Sequence, residues 1–350
     1  MTIGRIEQIR ALVAAVRAEF APDPRLAIFE IDIKVEEDVL LLAGATSEPA
    51  AAEALSRRAA LLEGWSEVRE RVVRLPELEV NGHAHAVVTA AVAPMLAAPM
   101  IVEPLVSQVV LGRRLLVLRQ AQRWLQCRSP EGYLGWVHCG YVVRMDEREA
   151  RAWEVGTEGE ACLSLGAELR APDDEVMARL PWGARAVRQH DGAARLPDGR
   201  VGRVVGELVP LAECPLRFPT DGEAVARTAL RWLGAPYLWS GVTPAGVDCS
   251  GFVQALLRLH GVELPRDSDQ QADIGAQVDP GPDFGRLRVG DLCFFAEDAR
   301  RVTHVALSLG GSAIIHSSLG NGGVFRNDLA GSLPYERELR DLFVVARRVL

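Results

Sequence analysis

The sequence predicts a multidomain α+β protein: a small α+β unit, two small all-β barrels, and a larger α+β domain that carries the chemistry. Three observations predict it. The first 80 residues mix a helical apolar stripe with period-two strands, and residues 84–215 hold short strands punctuated by Gly and Pro. Residues 216–350 then set a cysteine at a helix start ahead of a two-histidine hairpin. At 350 residues the chain is too long for one compact core, and its 49% apolar and 25% charged residues are ordinary for globular domains. Boundaries are expected near 80, 150 and 215, giving units 1–80, 81–149, 150–215 and 216–350.

In the first unit, Ile3, Ile6, Ile9, Leu12, Val13, Val16 and Phe20 recur at helical spacing. IFEIDIKVEEDVLLLAGA (28–45) alternates around Glu36-Glu37-Asp38 and reads as a hairpin. Ser47 is placed to cap a helix over 48–64 that ends at Gly64, and EVRERVVRLP reads as a closing strand. Residues 86–102 are Ala-rich, too short to span a bilayer and broken by Pro94 and Pro99, so they read as strand and linker. His83 and His85 in NGHAH have no partner cluster for a metal and read as solvated linker. Residues 114–142 alternate around the turn Ser129-Pro130-Glu131-Gly132, and 161–205 repeat the theme, each predicting a small barrel.

Charge excludes some partners. With 39 Lys+Arg against 47 Asp+Glu, the formal charge is −8, and no basic stripe exists to bind nucleic acid or an anionic membrane. Arg5, Glu7, Arg10 and Arg17 interrupt the N-terminal apolar runs, so no export signal is read there and a cytoplasmic location is expected. None of the six cysteines forms a C-x-x-C pair, and five read as small buried hydrophobes. No Gly-rich phosphate loop is present, and no metal or cofactor is expected.

Cys249 has a different setting. DGEAVARTALRWLG (221–234) reads as a helix capped at Asp221, and a second helix runs from Cys249 to His260, apolar at 252, 253, 256, 257 and 259. Asp248-Cys249-Ser250-Gly251 therefore lies at a helix N-terminus, where unpaired N–H groups and the macrodipole favour thiolate and can hold an oxyanion. The base must come from elsewhere. VTHVALSLGGSAIIHSS forms two alternating runs about Gly310-Gly311, so His304 and His316, 12 residues apart, can share one face of a hairpin. In that arrangement His304 takes the thiol proton and His316 fixes its tautomer. On the residues alone, a structural histidine pair or a metal site stays open beside this reading. His260, at the helix end, suits a capping role.

PYLWSGVTPAGVDCSGFVQALLRLHGVELPRDSDQQ, GDLCFF, THVALSLG and AIIHSS, in this order over nearly all of 216–350, resemble the motifs of NlpC-type cell-wall peptidases. The resemblance implies a papain-like fold and cleavage of γ-D-glutamyl bonds to a diamino acid in peptidoglycan stem peptides. It implies Cys249 as nucleophile, His304 as base, His316 as third polar member and Tyr237 as a hydroxyl beside the oxyanion. Asp248 and Ser250 match residues that hold the D-Glu portion, and Arg266 and Ser268 match the motif lining the groove, with a structural Arg266–Asp267 ion pair as the alternative. Ser240 departs from the pattern, standing where the family has a second Gly; a small residue is expected to be tolerated there.

SQVVLGRRLLVL, Trp124 and EGYLGWV are similar to a bacterial Src-homology-3-like domain; in the second barrel LPDGRVGRVV holds the same place without the aromatics. VLLLAGATSEPAAAEALSRRAALLEGWSEVRERVVRL resembles a BON domain, an interaction unit without chemistry of its own. Barrels ahead of an NlpC-type domain imply a requirement for a free N-terminal L-Ala, with an acid and a tyrosine of the first barrel receiving the ammonium. Glu103 and Tyr133 match those two. The expected substrate is thus L-Ala-γ-D-Glu-diamino acid peptide released from peptidoglycan, in murein-peptide recycling. A lytic enzyme on intact wall, an amidase or acyltransferase, and a silent wall-binding adaptor are the alternatives. Lys versus diaminopimelate stays open.

Overall fold

The computed structural model describes residues 2–77, 82–297 and 301–350, so the boundary expected at 80 lies outside the described residues. Among them, the strands form a three-stranded sheet, two seven-stranded sheets, a two-stranded ribbon and a six-stranded sheet.

In the N-terminal unit the strands Phe29–Glu36 and Val39–Thr46 pair as the expected hairpin, and Glu67–Arg74 lies parallel to the second of them. Helices Thr2–Phe20 and Pro49–Ala59 cover one face, burying Ile9, Val13, Val16 and Leu55 against Leu40 and Leu42. The helix expected over 48–64 is shorter, and Ser47 does not cap it. Glu48 holds the cap position without a side-chain capping bond, its carboxylate accepting from Ser47 Oγ and Arg128 instead. Ser47 Oγ instead accepts the Ile28 N–H at 2.9 Å and an Arg128 N–H at 2.9 Å. A hydroxyl that could cap locally is taken by a tertiary partner.

The first seven-stranded sheet runs from His85–Val88 to Val142–Met145, and these two strands pair with one another. His85 therefore belongs to a strand, not to a solvated linker, and its ring nitrogens lie 3.2 and 3.1 Å from the Arg114 guanidinium. No group of three or more His, Cys, Asp or Glu able to hold a metal occurs among the described residues. A helix, Glu147–Val155, crosses the position expected as a boundary near 150. Asp146 and Glu149 form a capping box at its start, and Trp153 wedges between the two sheets, donating Nε1–H to Gly112 O at 2.9 Å. The second seven-stranded sheet spans Glu160–Ser164 to Leu208–Pro210 and takes Leu111, which follows a strand of the first sheet, into its core.

In the C-terminal unit the six-stranded sheet is antiparallel, in the order Ala276–Val278, Phe343–Arg348, Leu292–Phe295, His304–Gly310, Ala313–Ser318 and Gly323–Asp328. The helix Cys249–Leu259 lies on it. Its side chains Phe252, Val253, Leu256 and Leu257 are buried against Leu292, Phe294, Val305 and Ile315, each contributing about 1.5–3 kcal/mol. That packing fixes the helix start over the His304 strand. No helix among the described residues is long and apolar enough to cross a membrane.

Candidate active site

The helix start is built by close approach. Asp248 is its N-cap and accepts the Gly251 N–H at 2.6 Å. A Cβ on Gly251 would lie 2.2 Å from Gly241 O, so only glycine lets the helix meet the Leu238–Gly241 turn. Ser240 in that turn has φ +61°, a left-handed conformation that costs a non-glycine residue roughly 1–2 kcal/mol. Its hydroxyl donates to Leu105 O of the first seven-stranded sheet at 2.9 Å. The departure from a second Gly thus becomes a tie between units.

Cys249 is the first residue of the helix and 8% exposed. Burial, then the Asp248 carboxylate, push its thiol up to about 12, against the backbone N–H groups of Val305 and Ser250, which draw it down. Desolvation and the acidic N-cap thus oppose the lowering expected from the helix terminus. Burial, then His316, hold His304 well below its ordinary value. Both shifts favour the neutral forms, thiol and imidazole.

His304 Nε2 and His316 Nδ1 are 2.6 Å apart, and the rings stand edge to face. His316 Nε2 lies 2.9 Å from Asn327 Oδ1, which also accepts Asn321 Nδ2–H at 2.6 Å. This network assigns the tautomers. Asn327 Oδ1 accepts from His316 Nε2–H, His316 Nδ1 accepts from His304 Nε2–H, and His304 Nδ1 keeps its lone pair. Burial lowers His316 to about 4, against the Asn327 bond. Tyr335 stacks on the His316 ring at 6.2 Å and 12°. Asn327, Asn321 and Tyr335 were not foreseen. Asn327 shares a face with His316 because their strands pair His316 with Phe325, a register the sequence leaves unspecified.

Arg266 is fully buried and belongs to the interior, not to the groove lining. It donates bidentately to Asp248 (3.1 and 2.7 Å), to Ser250 Oγ at 2.9 Å and to Ser107 Oγ at 3.2 Å. The ion pair is thus with Asp248, not Asp267, and it engages the side chains of Asp248 and Ser250 from behind Cys249. Ser268 opens the short helix Ser268–Gln271 and is 8% exposed. Tyr237 is half-buried, and burial, then Cys249, raise its hydroxyl to about 12, so it stays a donor.

Tyr133 does not meet Glu103 in a hydrogen bond; its hydroxyl donates to Asp267 Oδ2 at 3.1 Å. Glu103 is half-buried, two residues before the Leu105 that receives Ser240, and its side chain makes no hydrogen bond or ion pair among the described residues. Arg25 of the N-terminal unit donates to the same Asp267 oxygen at 2.7 Å, to Asp269 at 2.8 Å and to Asp23 at 2.7 Å. Three carboxylates therefore gather around Arg25 at this corner.

Residues 234–342 match the NlpC/P60 family, and residues 95–140 match the bacterial dipeptidyl-peptidase Sh3 domain. Over 235 residues the chain is 28% identical to the gamma-D-glutamyl-L-lysine dipeptidyl-peptidase of Bacillus subtilis, covering 60% of this chain and 71% of that one. It is 26% identical over 276 residues to dipeptidyl-peptidase 6 of Lysinibacillus sphaericus, covering 73% and 95%. Its fold is shared with the crystal structure of an NlpC/P60 family protein from Bacillus cereus, with TM-score 0.63, 22% identity, and 76% and 99% coverage.

Proposed function

We propose that this chain, which carries an NlpC/P60 peptidase domain and a bacterial Sh3 domain, is a cysteine peptidase that cuts the γ-D-glutamyl–diamino acid bond of released stem peptides bearing a free N-terminal L-Ala. The observation that carries the reading is the relay from Asn327 through His316 to His304, which leaves His304 Nδ1 as a bare base in the strand that lies against Cys249. In the proposed reaction Cys249 Sγ bonds to the γ-carbonyl carbon as its proton passes to His304 Nδ1. Tyr237 Oη–H donates to the oxyanion. The C–N bond then breaks as His304 returns the proton to the leaving amine, and water, deprotonated by His304, hydrolyses the thioester.

The carboxylate corner supports the choice of substrate. Asp267, Asp269 and Asp23 face two guanidiniums, Arg25 and, through Asp269 at 3.4 Å, Arg301, which leaves one negative charge in excess; the Tyr133 hydroxyl stands on Asp267, so an ammonium finds negative charge there. Glu103 and Tyr133 keep their proposed place as amine ligands, with Asp267 added. In this reading the N-terminal unit is a BON-like interaction module that docks at the corner through Arg25, and the enzyme works in the cytoplasm on recycled peptides. Defined stem peptides, free or muramyl-blocked at L-Ala, incubated with the chain and read by mass spectrometry, test it. Cleavage of the free peptide between D-Glu and the diamino acid is expected. Efficient cleavage of the blocked peptide and of intact peptidoglycan would replace it with the lytic reading.

A further inference from the structure

A cavity of about 240 Å³ lies where the two seven-stranded sheets meet the C-terminal unit, at the face of the Cys249–Leu259 helix that carries Arg258 near its end. Three guanidiniums line it: Arg113, Arg185 and Arg258. Arg258 is compensated by two carboxylates, Glu263 at 2.9 Å and Glu131 at 3.3 Å. Arg113 and Arg185 are not. Neither side chain makes a hydrogen bond or an ion pair among the described residues, and Arg113 is 8% exposed.

The orphaned polar atoms point the same way. Arg185 Nε, Arg258 Nη2 and Trp232 Nε1 are buried with no hydrogen-bond partner, and all three residues line this one cavity; Arg258 Nη2 meets Glu131 only as an unaligned ion pair. Every one of them is a donor. Burial, then repulsion from Arg258 and Arg185, lower Arg113 to about 9, against the pull of Glu131 and Glu263. An unpaired buried cation costs several kcal/mol, and a protein acceptor is the usual remedy. Here the acceptor has to come from outside.

We propose that this cavity is a binding site for a small anion, of carboxylate or phosphate chemistry, held by Arg113 and Arg185. Guanidinium forks match either group bidentately. The volume is below that of drug-sized pockets, so the ligand is small. Trp182, Trp232 and Phe218 supply an apolar wall for any organic body attached to the anion.

The two tryptophans, edge to face at 5.6 Å, make binding readable by fluorescence without any assay of peptide cleavage. A failed peptidase reading therefore leaves this test intact, and the reverse. The full chain is titrated with inorganic phosphate and, separately, with benzoate, at ionic strength held constant with sodium chloride. A saturable change in tryptophan emission is expected, with a rise in Tm of roughly 5 °C at a hundredfold excess over Kd. A response to phosphate alone assigns a phosphoryl ligand, and a response to benzoate alone assigns a carboxylate with an apolar body. Arg113→Met should raise the Tm of the anion-free protein, because it removes an uncompensated buried charge, and should abolish the anion response. Arg185→Gln, a change at a less buried position, should weaken binding at least tenfold and carries the test should the first variant not fold. No saturable response to either anion, or the same response in wild type and both variants, overturns the site.

Discussion

Arg25 and Asp267 stand 242 residues apart in the chain, and Arg25 Nη1 donates to Asp267 Oδ2 across 2.7 Å. The same oxygen accepts Tyr133 Oη–H, so one carboxylate joins the N-terminal unit, the first seven-stranded sheet and the C-terminal unit. Arg25→Ala frees that carboxylate to rotate and leaves it with the tyrosine alone. The pair is about a quarter exposed on each side, so the loss is screened to about 1–2 kcal/mol. The unfolding free energy should fall by that amount, while KM for a free-amine peptide should fall and not rise, because the corner loses a competing cation; Arg25→Lys should recover the stability. A fall in kcat with KM unchanged would show that the contact acts on the chemistry instead.

The relay predicts a graded series. Cys249→Ala should abolish turnover while keeping the fold, since no other group forms the acyl-enzyme. His304→Ala should lose roughly 10²–10⁴-fold in kcat. His316→Ala should be milder and Asn327→Ala milder again, because these groups fix a tautomer and take no proton from substrate. Rates of Cys249 alkylation by iodoacetamide should follow the same order. Asn327→Ala as damaging as His304→Ala would mean that the amide does more than orient.

Arg266 predicts a stability effect. Its guanidinium is buried with Asp248, and removing one partner of such a pair costs about 3–5 kcal/mol. Arg266→Ala should lower the urea midpoint by that amount divided by an unchanged m-value, and should lose activity because Asp248 also caps the Cys249 helix. Full activity in a stable variant would remove the brace from the account.

The pH profile follows from two opposite displacements. His304 lies well below an ordinary imidazole and Cys249 near 12, so the neutral pair persists over a wide range. The acid limb of kcat/KM should fall below pH 6.5, and the alkaline limb above the ordinary thiol range. Stability has its own window. His316 titrates near 4 when folded and 6.5 when unfolded, so the unfolded chain binds more protons between those values. The stability it contributes is full above pH 6.5 and lost as pH falls toward 4, by about 3 kcal/mol in all. Urea midpoints flat from pH 7 to 4 would contradict a neutral buried His316.

How far the sequence leads depends on how local the cause is. Cys249 at a helix start and the even spacing of His304 and His316 are local periodicities, and the fold realises both geometries. The Glu147–Val155 helix was also signalled, by Asp146 and Glu149 three residues apart, but it buries only Ala150 and Trp153 and so shows no long apolar stripe. Asn327 depends on the register of one more strand pair, and Arg25–Asp267 on the docking of whole units; neither has a local signature. The thiol shows the limit most sharply. A dipole argument made from neighbours in sequence is opposed by burial, which only the packed structure supplies.

The last prediction concerns the amine. Tyr133 and Asp267 belong to the proposed amine-binding corner, with Glu103 as its proposed third ligand; there Asp23, Asp267 and Asp269 surround Arg25, and Asp269 also pairs with Arg301 at 3.4 Å. Acetylating the substrate's L-Ala removes a positive charge and adds bulk, leaving the carboxylates short of a counter-ion. At this quarter-exposed corner, losing one partner of a charge pair costs about 1–2 kcal/mol, and with each 1.4 kcal/mol worth tenfold, kcat/KM for the acetylated peptide should fall roughly five- to thirtyfold. Glu103→Ala and Tyr133→Phe should each shrink that ratio while leaving the alkylation rate of Cys249 unchanged. Tyr133→Phe should act the more strongly, because its hydroxyl is already fixed on Asp267 while the Glu103 carboxylate makes no such bond among the described residues. Equal cleavage of free and acetylated peptides by the wild-type chain would remove the amine from recognition and leave the corner a docking joint.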